Sequence, residues 1–542
     1  MIAVLTLAAS PLVGCAPDPY DGPVAAGVGA TESNGLQVID RRGQEQVEIV
    51  ALDNVFVDGA IRVDVGTRVV WHNDGRSKHS IVSSSDGAPA DLSIAAIPAG
   101  SEHATTFDTE GEFTYFCHLH GDSERGMLGV VVVGDPPVTT SNVSANATAA
   151  PSPPTVEEPE ETPVDPGLTS TIRVPSDAPT IQAAVDRATP GALVLIASGT
   201  YHEAVVVKVD DIHIRGESRN QVVLDGGFVL DNGVEVLEAD GVTIENLTVT
   251  RYTTNGLFWT GVRGYRASYI TSINNGYYGI YAFNSSDGIF EHSYASGSAD
   301  AGFYIGQCTA CDAVVDDVVS EYNSFGYSGV NTGGIVIEHS VWRHNRAGIV
   351  IGSLDNELLA PERDTVVRHN VVEDNGDPMA TAPANPDLDA VFGIGIGLLG
   401  GLDNTVTGNQ VHGNARIGIA IAPNPAIQIN FWPAERNNVT GNVVSGSGEY
   451  DLAIAAIPEL AGNCFEDNEF ATSGPLSIEQ AAPCTGAATA DLAAGAPDLA
   501  RYLDTSGNPP GVRYQDQPSP GSQPEMPDPL TAVPVPTSER ER

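Results

Sequence analysis

Lysine is almost missing from this chain of 542 residues, which has only Lys78 and Lys208. Lys and Arg together number 25 against 70 Asp and Glu, a formal balance of 25 − 70 = −45. Phosphate backbones are repelled by such a chain, so nucleic acid is excluded as a partner. After the first fourteen residues no apolar run approaches the roughly 18 residues that a spanning helix needs. Cysteine is scarce, and none lies between positions 16 and 307 except Cys117, which leaves that thiol without a nearby disulfide partner. What the chain does have is length, 58 Gly and 37 Pro. The length favours two or three domains over one core. The Gly and Pro, with scattered Asn-Gly and Asp-Gly pairs, favour short strands and turns over long helices.

Met1 to Gly14 is a small-residue apolar run that ends in Leu12-Val13-Gly14-Cys15. It resembles the lipobox of prokaryotic lipoproteins. That resemblance implies an acylated Cys15, membrane attachment through the lipid anchor only, and an extracytoplasmic protein, anchored to the envelope or secreted. Residues 16–44 lack hydrophobic periodicity and read as a tether.

Between about Val47 and Val133 the sequence alternates as strands do, for example in Ile61-Arg62-Val63-Asp64-Val65 and Thr114-Tyr115-Phe116. Turn residues such as Asn73-Asp74-Gly75 separate the strands, and the pattern predicts a small β-sandwich. Four side chains in it suit a soft metal: His79, Cys117, His120 and Met127. A thiolate at a strand end and an imidazole in the following turn lie close together. A second imidazole from a neighbouring strand closes a trigonal His₂Cys plane, and a thioether one loop on approaches along the axis. This is the ligand set of a blue-copper electron-transfer site. Other readings are a buried thiol, a zinc site, and His118 in place of His120. Residue 118 follows the Cys directly and points to the opposite face of an extended segment. His72 and His103 read as strand or surface histidines.

Residues 45–134 resemble a cupredoxin of the plastocyanin type. The resemblance is carried by Asn73…His79 and by Tyr115-Phe116-Cys117-His118-Leu119-His120…Gly126-Met127. It implies one type 1 copper ion on His79, Cys117, His120 and Met127, single-electron transfer, and a redox partner protein that the sequence does not name.

Residues 135–169, rich in Pro, Thr and Glu, read as a solvated linker. Beyond them a Gly followed by an apolar residue recurs at Gly256, Gly279, Gly302, Gly348, Gly393 and Gly418, a unit of about 23 residues. Asn370, Asn409 and Asn442 form a second series. Such periodicity is the signature of a solenoid whose coils bury one another, with Gly and Asn expected at φ > 0 turns. With Thr180-Ile181-Gln182-Ala183-Ala184 and Gly199-Thr200-Tyr201, residues 170–490 resemble a right-handed parallel β-helix of the pectate-lyase-like kind. They resemble pectin-acting enzymes and also the β-helix proteins of copper delivery in nitrous-oxide reductase maturation. The expected fold class is therefore all-β.

The fold alone does not assign an activity. The motifs of alginate epimerases, polygalacturonases and pectin esterases are missing, so no catalytic residue is assigned and an electron carrier is favoured over an enzyme. The alternatives are a polysaccharide-active enzyme of the uronan lyase, hydrolase or epimerase class with an accessory cupredoxin, and a copper-delivery protein. The acidic insertion 353–391 offers oxygen ligands of the kind calcium takes, or is a solvated loop. Sixteen of the 34 aromatic residues fall between Tyr252 and Tyr327. Exposed, Trp259, Tyr277, Tyr278 and Tyr281 would stack sugar rings of a polysaccharide; buried, they would be core or packing under loops. His292 and His339 are spaced to lie near each other. In an exported protein Cys308 and Cys311 read as a local disulfide, with a thiol metal site as the alternative, and Cys464 with Cys484 as a clamp on the last coil. Residues 491–542 read as a disordered, Pro-rich tail.

Overall fold

The computed structural model describes residues 31–33, 36–83, 85, 87–135, 170–424, 430–455, 461–497 and 504–533. Cys15 and the linker beyond Asp135 lie outside them. The first unit is a sandwich of a seven-stranded and a four-stranded sheet. Its alternating strands turn Ile49, Val69, Trp71, Tyr115 and Val131 into one core. Part of the expected tether belongs to it. Leu36–Asp40 is a strand that pairs in parallel with Ala60–Val63, because Val38 finds an apolar niche against Ala60, Val130 and Val132.

The second unit is a parallel β-helix. Eleven strands, from Val205–Val207 to Ser473–Gly474, stack as one face. Twenty more form two faces that meet at a corner. The strand Val242–Thr250 runs through that corner, pairing with His213–Gly216 by its first half and with Val222–Asp225 by its second. The short helix Ile181–Val185 covers the first coil, and Thr180 caps it by accepting a hydrogen bond from the Ala183 N–H.

The recurring Gly and Asn serve a different purpose from the turns expected of them. None of Gly256, Gly279, Gly302, Gly348 and Gly418 has positive φ. They stack instead: a Cβ on Gly256 would lie 2.5 Å from the Gly279 carbonyl oxygen, and one on Gly279 2.5 Å from that of Gly302. The member of this column near position 393 is Gly395, whose added Cβ would lie 2.6 Å from the Gly418 oxygen; Gly393 sits in a φ +81° turn. The Asn series is a buried amide ladder. The Asn370 N–H donates to Asn409 Oδ1 at 3.0 Å, that of Asn409 to Asn442 at 3.0 Å, and that of Asn442 to Asn468 at 3.0 Å. Glu479 ends the ladder by accepting from Asn468. Each side chain satisfies a backbone donor that the corner of the coil would otherwise strand.

Residues 504–533 correct the expected disordered tail. They lie along the solenoid, fixed by side chains already present on it. Asn274 Nδ2 donates to the Gln517 carbonyl at 2.9 Å, Asn220 Nδ2 to that of Gln523 at 2.8 Å, and Arg215 to those of Pro529 and Ala532 at 3.1 and 2.7 Å. Proline costs such a segment nothing, because its carbonyls do the accepting. Cys308–Cys311 and Cys464–Cys484 are disulfides. The acidic insertion does not gather into a cation site among the described residues. Asp355 pairs with Asn430 and Trp432, Glu357 with Tyr304, Glu362 with Thr365 and Asn404, and Asp389 with Arg346. His292 bonds Asp317, and His339 bonds Asp316 and stacks on His369, so the two histidines do not stack on each other.

The two units are docked. On one side Arg125 donates to the carbonyls of Lys208, Leu237 and Glu238 at 3.1–3.3 Å, and Lys208 pairs with Asp122 and Glu124. On the other, Asp53 accepts from Asn356 Nδ2 at 2.8 Å, and Arg76 donates to the Tyr278 and Tyr304 hydroxyls at 3.2 and 3.3 Å. Between these clamps one outward row of the eleven-stranded face, Glu235, Phe258, Tyr281, Tyr304 and Ser328, is buried in register. Burial lifts the Glu235 carboxyl from 4.5 to about 8, and its Oε1 has no hydrogen-bond partner.

Replacing Asn409 by Ala strands the Asn370 N–H and the Val367 carbonyl, and should cost about 3 kcal/mol. An unchanged denaturation midpoint would show that the ladder adds nothing to stability. Folded Glu235 holds its proton up to about pH 8, whereas the unfolded chain releases it near 4.5. Its contribution is therefore full below the lower value and fades as pH rises through the higher one. Glu235→Gln should gain thermal stability relative to the parent between about pH 5 and about pH 8.5; a pH-independent difference would refute this.

Candidate metal centre

His79 opens the strand His79–Ser83, and Cys117 and His120 lie in the strand Gly111–Gly121. Pairing of Phe116 with Val82 sets these strands side by side. The loop before His79 is held by Asn73, whose Nδ2 donates to the Ser77 and Ile97 carbonyls at 2.9 and 2.8 Å and whose Oδ1 accepts from the Gly75 N–H at 3.0 Å. This explains the Asn that precedes the His by six positions.

Against the strand Gly126–Val133 the register is Phe116 opposite Leu128, then Gly121 opposite Gly126. Four residues, Cys117 to His120, therefore face one, Met127. The bulge lifts the Cys117 and His120 side chains to the same side and sets Met127 across from them. Met127 is buried in the same apolar cluster as Cys117.

The three donors converge. His79 Nδ1 and His120 Nδ1 are 3.2 Å apart, and Cys117 Sγ is 3.8 Å from the first and 3.3 Å from the second. The centre of this triangle is about 2 Å from each corner, the length of a metal–nitrogen bond. The donor set fits a soft or borderline metal. The Ser80 N–H donates to Cys117 Sγ at 3.3 Å, an orienting contact of the kind that tunes a thiolate ligand. Burial pushes the Cys117 thiol up, the His79 imidazole down to about 4, and that of His120 well below its usual range, with the neighbouring His79 adding to the last. Without a metal the set would be one neutral thiol and two neutral rings, and a cation would have to displace the thiol proton on binding.

His118 is held elsewhere: its Nδ1 lies 2.6 Å from Ser80 Oγ and its Nε2 3.5 Å from Asp231. His72 faces Glu48 and Glu102, and His103 the Asp91 carbonyl. Among the described residues a second group, Asp316, Glu338 and His339, also comes together, but it is partly exposed and Arg368 already occupies Glu338.

The β-helix closes the site. The Phe258 ring lies 6.3 Å from that of His120, edge to face, and Asn232 Nδ2 donates to the Leu119 carbonyl at 3.1 Å. As a result His79 and Cys117 are fully buried and His120 is 3% exposed. The aromatic zone divides by strand parity. Trp259 faces the solenoid core against Tyr265 and Phe290, while Phe258, Tyr278, Tyr281 and Tyr304 form the floor beneath the sandwich. The number of rings in this zone does not by itself separate the two sides. Alternation within Leu257-Phe258-Trp259 and Ile280-Tyr281-Ala282 was the signal available.

A family model of copper binding proteins, the plastocyanin/azurin family, matches residues 45–134, and one for a right-handed β-helix region matches residues 212–376. Chloroplastic plastocyanin of Tetradesmus obliquus is 33% identical over 86 residues, covering 15% of this chain and 58% of the relative. Halocyanin of Natronomonas pharaonis is 37% identical over 102 residues, covering 18% and 61%. The chain thus spans about three fifths of the length of these relatives. Among solved structures, the A-module of a mannuronan C-5 epimerase from Azotobacter vinelandii aligns with 53% of this chain and 90% of its own at 17% identity and a TM-score of 0.40. Residues 45–134 are a cupredoxin domain of the plastocyanin/azurin family, carried in one chain with a right-handed parallel β-helix.

Proposed function

We propose that the protein holds one copper ion in a type 1 site and passes single electrons. His79 Nδ1, His120 Nδ1, Cys117 Sγ and the Met127 thioether would hold it. The convergence of two imidazole nitrogens and one thiol sulfur to within 3.8 Å carries this reading. Copper supplies the one-electron couple when bound. The protein's part is to keep the donors in place through the Asn73 loop and the Ser80 N–H, so that little rearrangement accompanies a change of charge, and to exclude water. Enclosure by Phe258 and Asn232 supports retention of the ion over its release to a client. The β-helix in this reading holds and covers the copper domain. The two disulfides support work in an oxidising compartment outside the cytoplasm.

The full chain titrated with Cu(II) should take up one equivalent and develop an intense band at about 600 nm from thiolate-to-copper charge transfer, with the electron paramagnetic resonance of a type 1 centre. Cys117→Ser should abolish the band, His118→Ala should keep it, and Met127→Leu should keep it while raising the reduction potential. A colourless protein after loading, or a band that survives Cys117→Ser, would overturn the assignment.

A further inference from the structure

The docked units leave a cleft of about 1330 Å³ between them. One wall is the sandwich loop through Gly75, Arg76 and Lys78; the other is the β-helix at Tyr277 and Phe325, with Glu357 and Trp432 from its loops. Two features tie this space to the metal centre. Gly75 backs onto the site: a Cβ placed there would lie 2.6 Å from Asp53 Oδ1 and 3.0 Å from His79 Nε2. From the other ligand a file of rings leads out. His120 to Phe258 is 6.3 Å between centroids, Phe258 to Tyr281 4.6 Å, Tyr281 to Tyr278 4.4 Å, and Tyr278 to Tyr277, which stands in the cleft wall, 6.5 Å.

Electron tunnelling falls off steeply with each gap between packed atoms, so a file of rings in contact couples its two ends far better than an equal span of water. Phe258 lies against the His120 edge, so a protein partner cannot reach within contact of that ring. The cleft adjoins His79 through Gly75 and is joined to His120 by the file of rings.

We infer that this cleft binds a small planar hydroxyaromatic molecule of the hydroquinone class, which gives its electron to the metal centre through the cleft wall. The inference rests on the copper reading for its redox part and stands alone for binding. The ligand chemistry follows from the walls. Tyr277, Phe325 and Trp432 are among the lining residues and make part of the wall aromatic, which suits a flat aromatic molecule. Asn356 and Glu357, also in the wall, each keep a buried oxygen, Oδ1 and Oε2, without a hydrogen-bond partner. An aromatic hydroxyl donates to the Asn356 oxygen and, able both to donate and to accept, meets the Glu357 carboxyl. In the transfer the donor loses one electron and one hydroxyl proton. The proton would pass to water in the open cleft, and the electron would go to the Cu(II) ion that His79, Cys117 and His120 would hold, which supplies the one-electron oxidant when bound.

Two measurements on the full chain test this. Calorimetric titration of the metal-free protein with hydroquinone should show saturable binding, weakened about tenfold by Trp432→Ala and less by Trp432→Phe. In the copper-loaded protein, hydroquinone should bleach the blue band at a rate that saturates with its concentration. Phe258→Leu should slow the bleaching and leave binding unchanged, and Tyr281→Phe, which keeps the ring, should not slow it. Absence of binding, equal binding by Trp432→Ala, or bleaching that rises linearly and ignores Phe258→Leu would overturn the inference. Binding without any blue band would leave the cleft in place and sink the copper reading instead.

Discussion

Docking of the ligand-bearing end of the sandwich onto the outer face of the solenoid is the constraint on which the rest of this structure depends. A cupredoxin domain can assemble its donor triangle alone, because the strand pairing and the bulge before Gly121 are internal to it. What the solenoid adds is enclosure. Phe258 lies against His120, Asn232 takes the Leu119 carbonyl, and Arg125 reaches three carbonyls of the neighbouring coils. Desolvation of the two imidazoles is in part an interdomain property, and so is the preference of the metal-free site for its neutral form.

That interface draws on both of the chain's lysines and on Arg76 and Arg125. Both lysines face or adjoin it, Lys208 in ion pairs with Asp122 and Glu124 and Lys78 in the cleft wall. Arg76 stands in contact with Asp53, Glu357 and two tyrosine hydroxyls. In a protein so acidic elsewhere, local neutrality at the seam lets two negatively charged bodies approach. The carboxyls trapped there, Glu235 and Glu357, are both pushed up to about 8 by burial and so carry little of the charge they would have in water.

Much of this was legible in the sequence. Cys117-x-x-His120 with an upstream Asn73…His79 pointed to three side chains that the structure brings together, since each residue has a local reason for its spacing. The repeat unit identified the solenoid, since every coil must bury its neighbour. Less legible was the use made of each repeated residue. Gly256 and Asn409 fit a turn as well as they fit a column, and only the stacking of whole coils decides between the two. The interface was not legible at all, because it joins Arg76 to Tyr304 and Asn54 to Tyr281 across more than two hundred positions, and no short-range pattern encodes a partner at that separation. The late segment 504–533 has the composition of disorder and yet is bound, since its binding is supplied by arginines and asparagines far upstream.

That last segment has a bearing on how the molecule is made. Arg215 and Arg219 belong to the early coils, and their guanidinium groups are buried against the carbonyls of Pro529, Ala532 and Pro524. During synthesis some three hundred residues must follow before those acceptors exist. Until then Arg215 has Glu245, and Arg219 the Thr271 hydroxyl and the Ile270 and His292 carbonyls, while their remaining N–H groups face water. Completion of the chain is therefore also the closing of its beginning, and a nascent protein stalled short of its last strap would present an unsealed seam to proteases along the very coils that were built first.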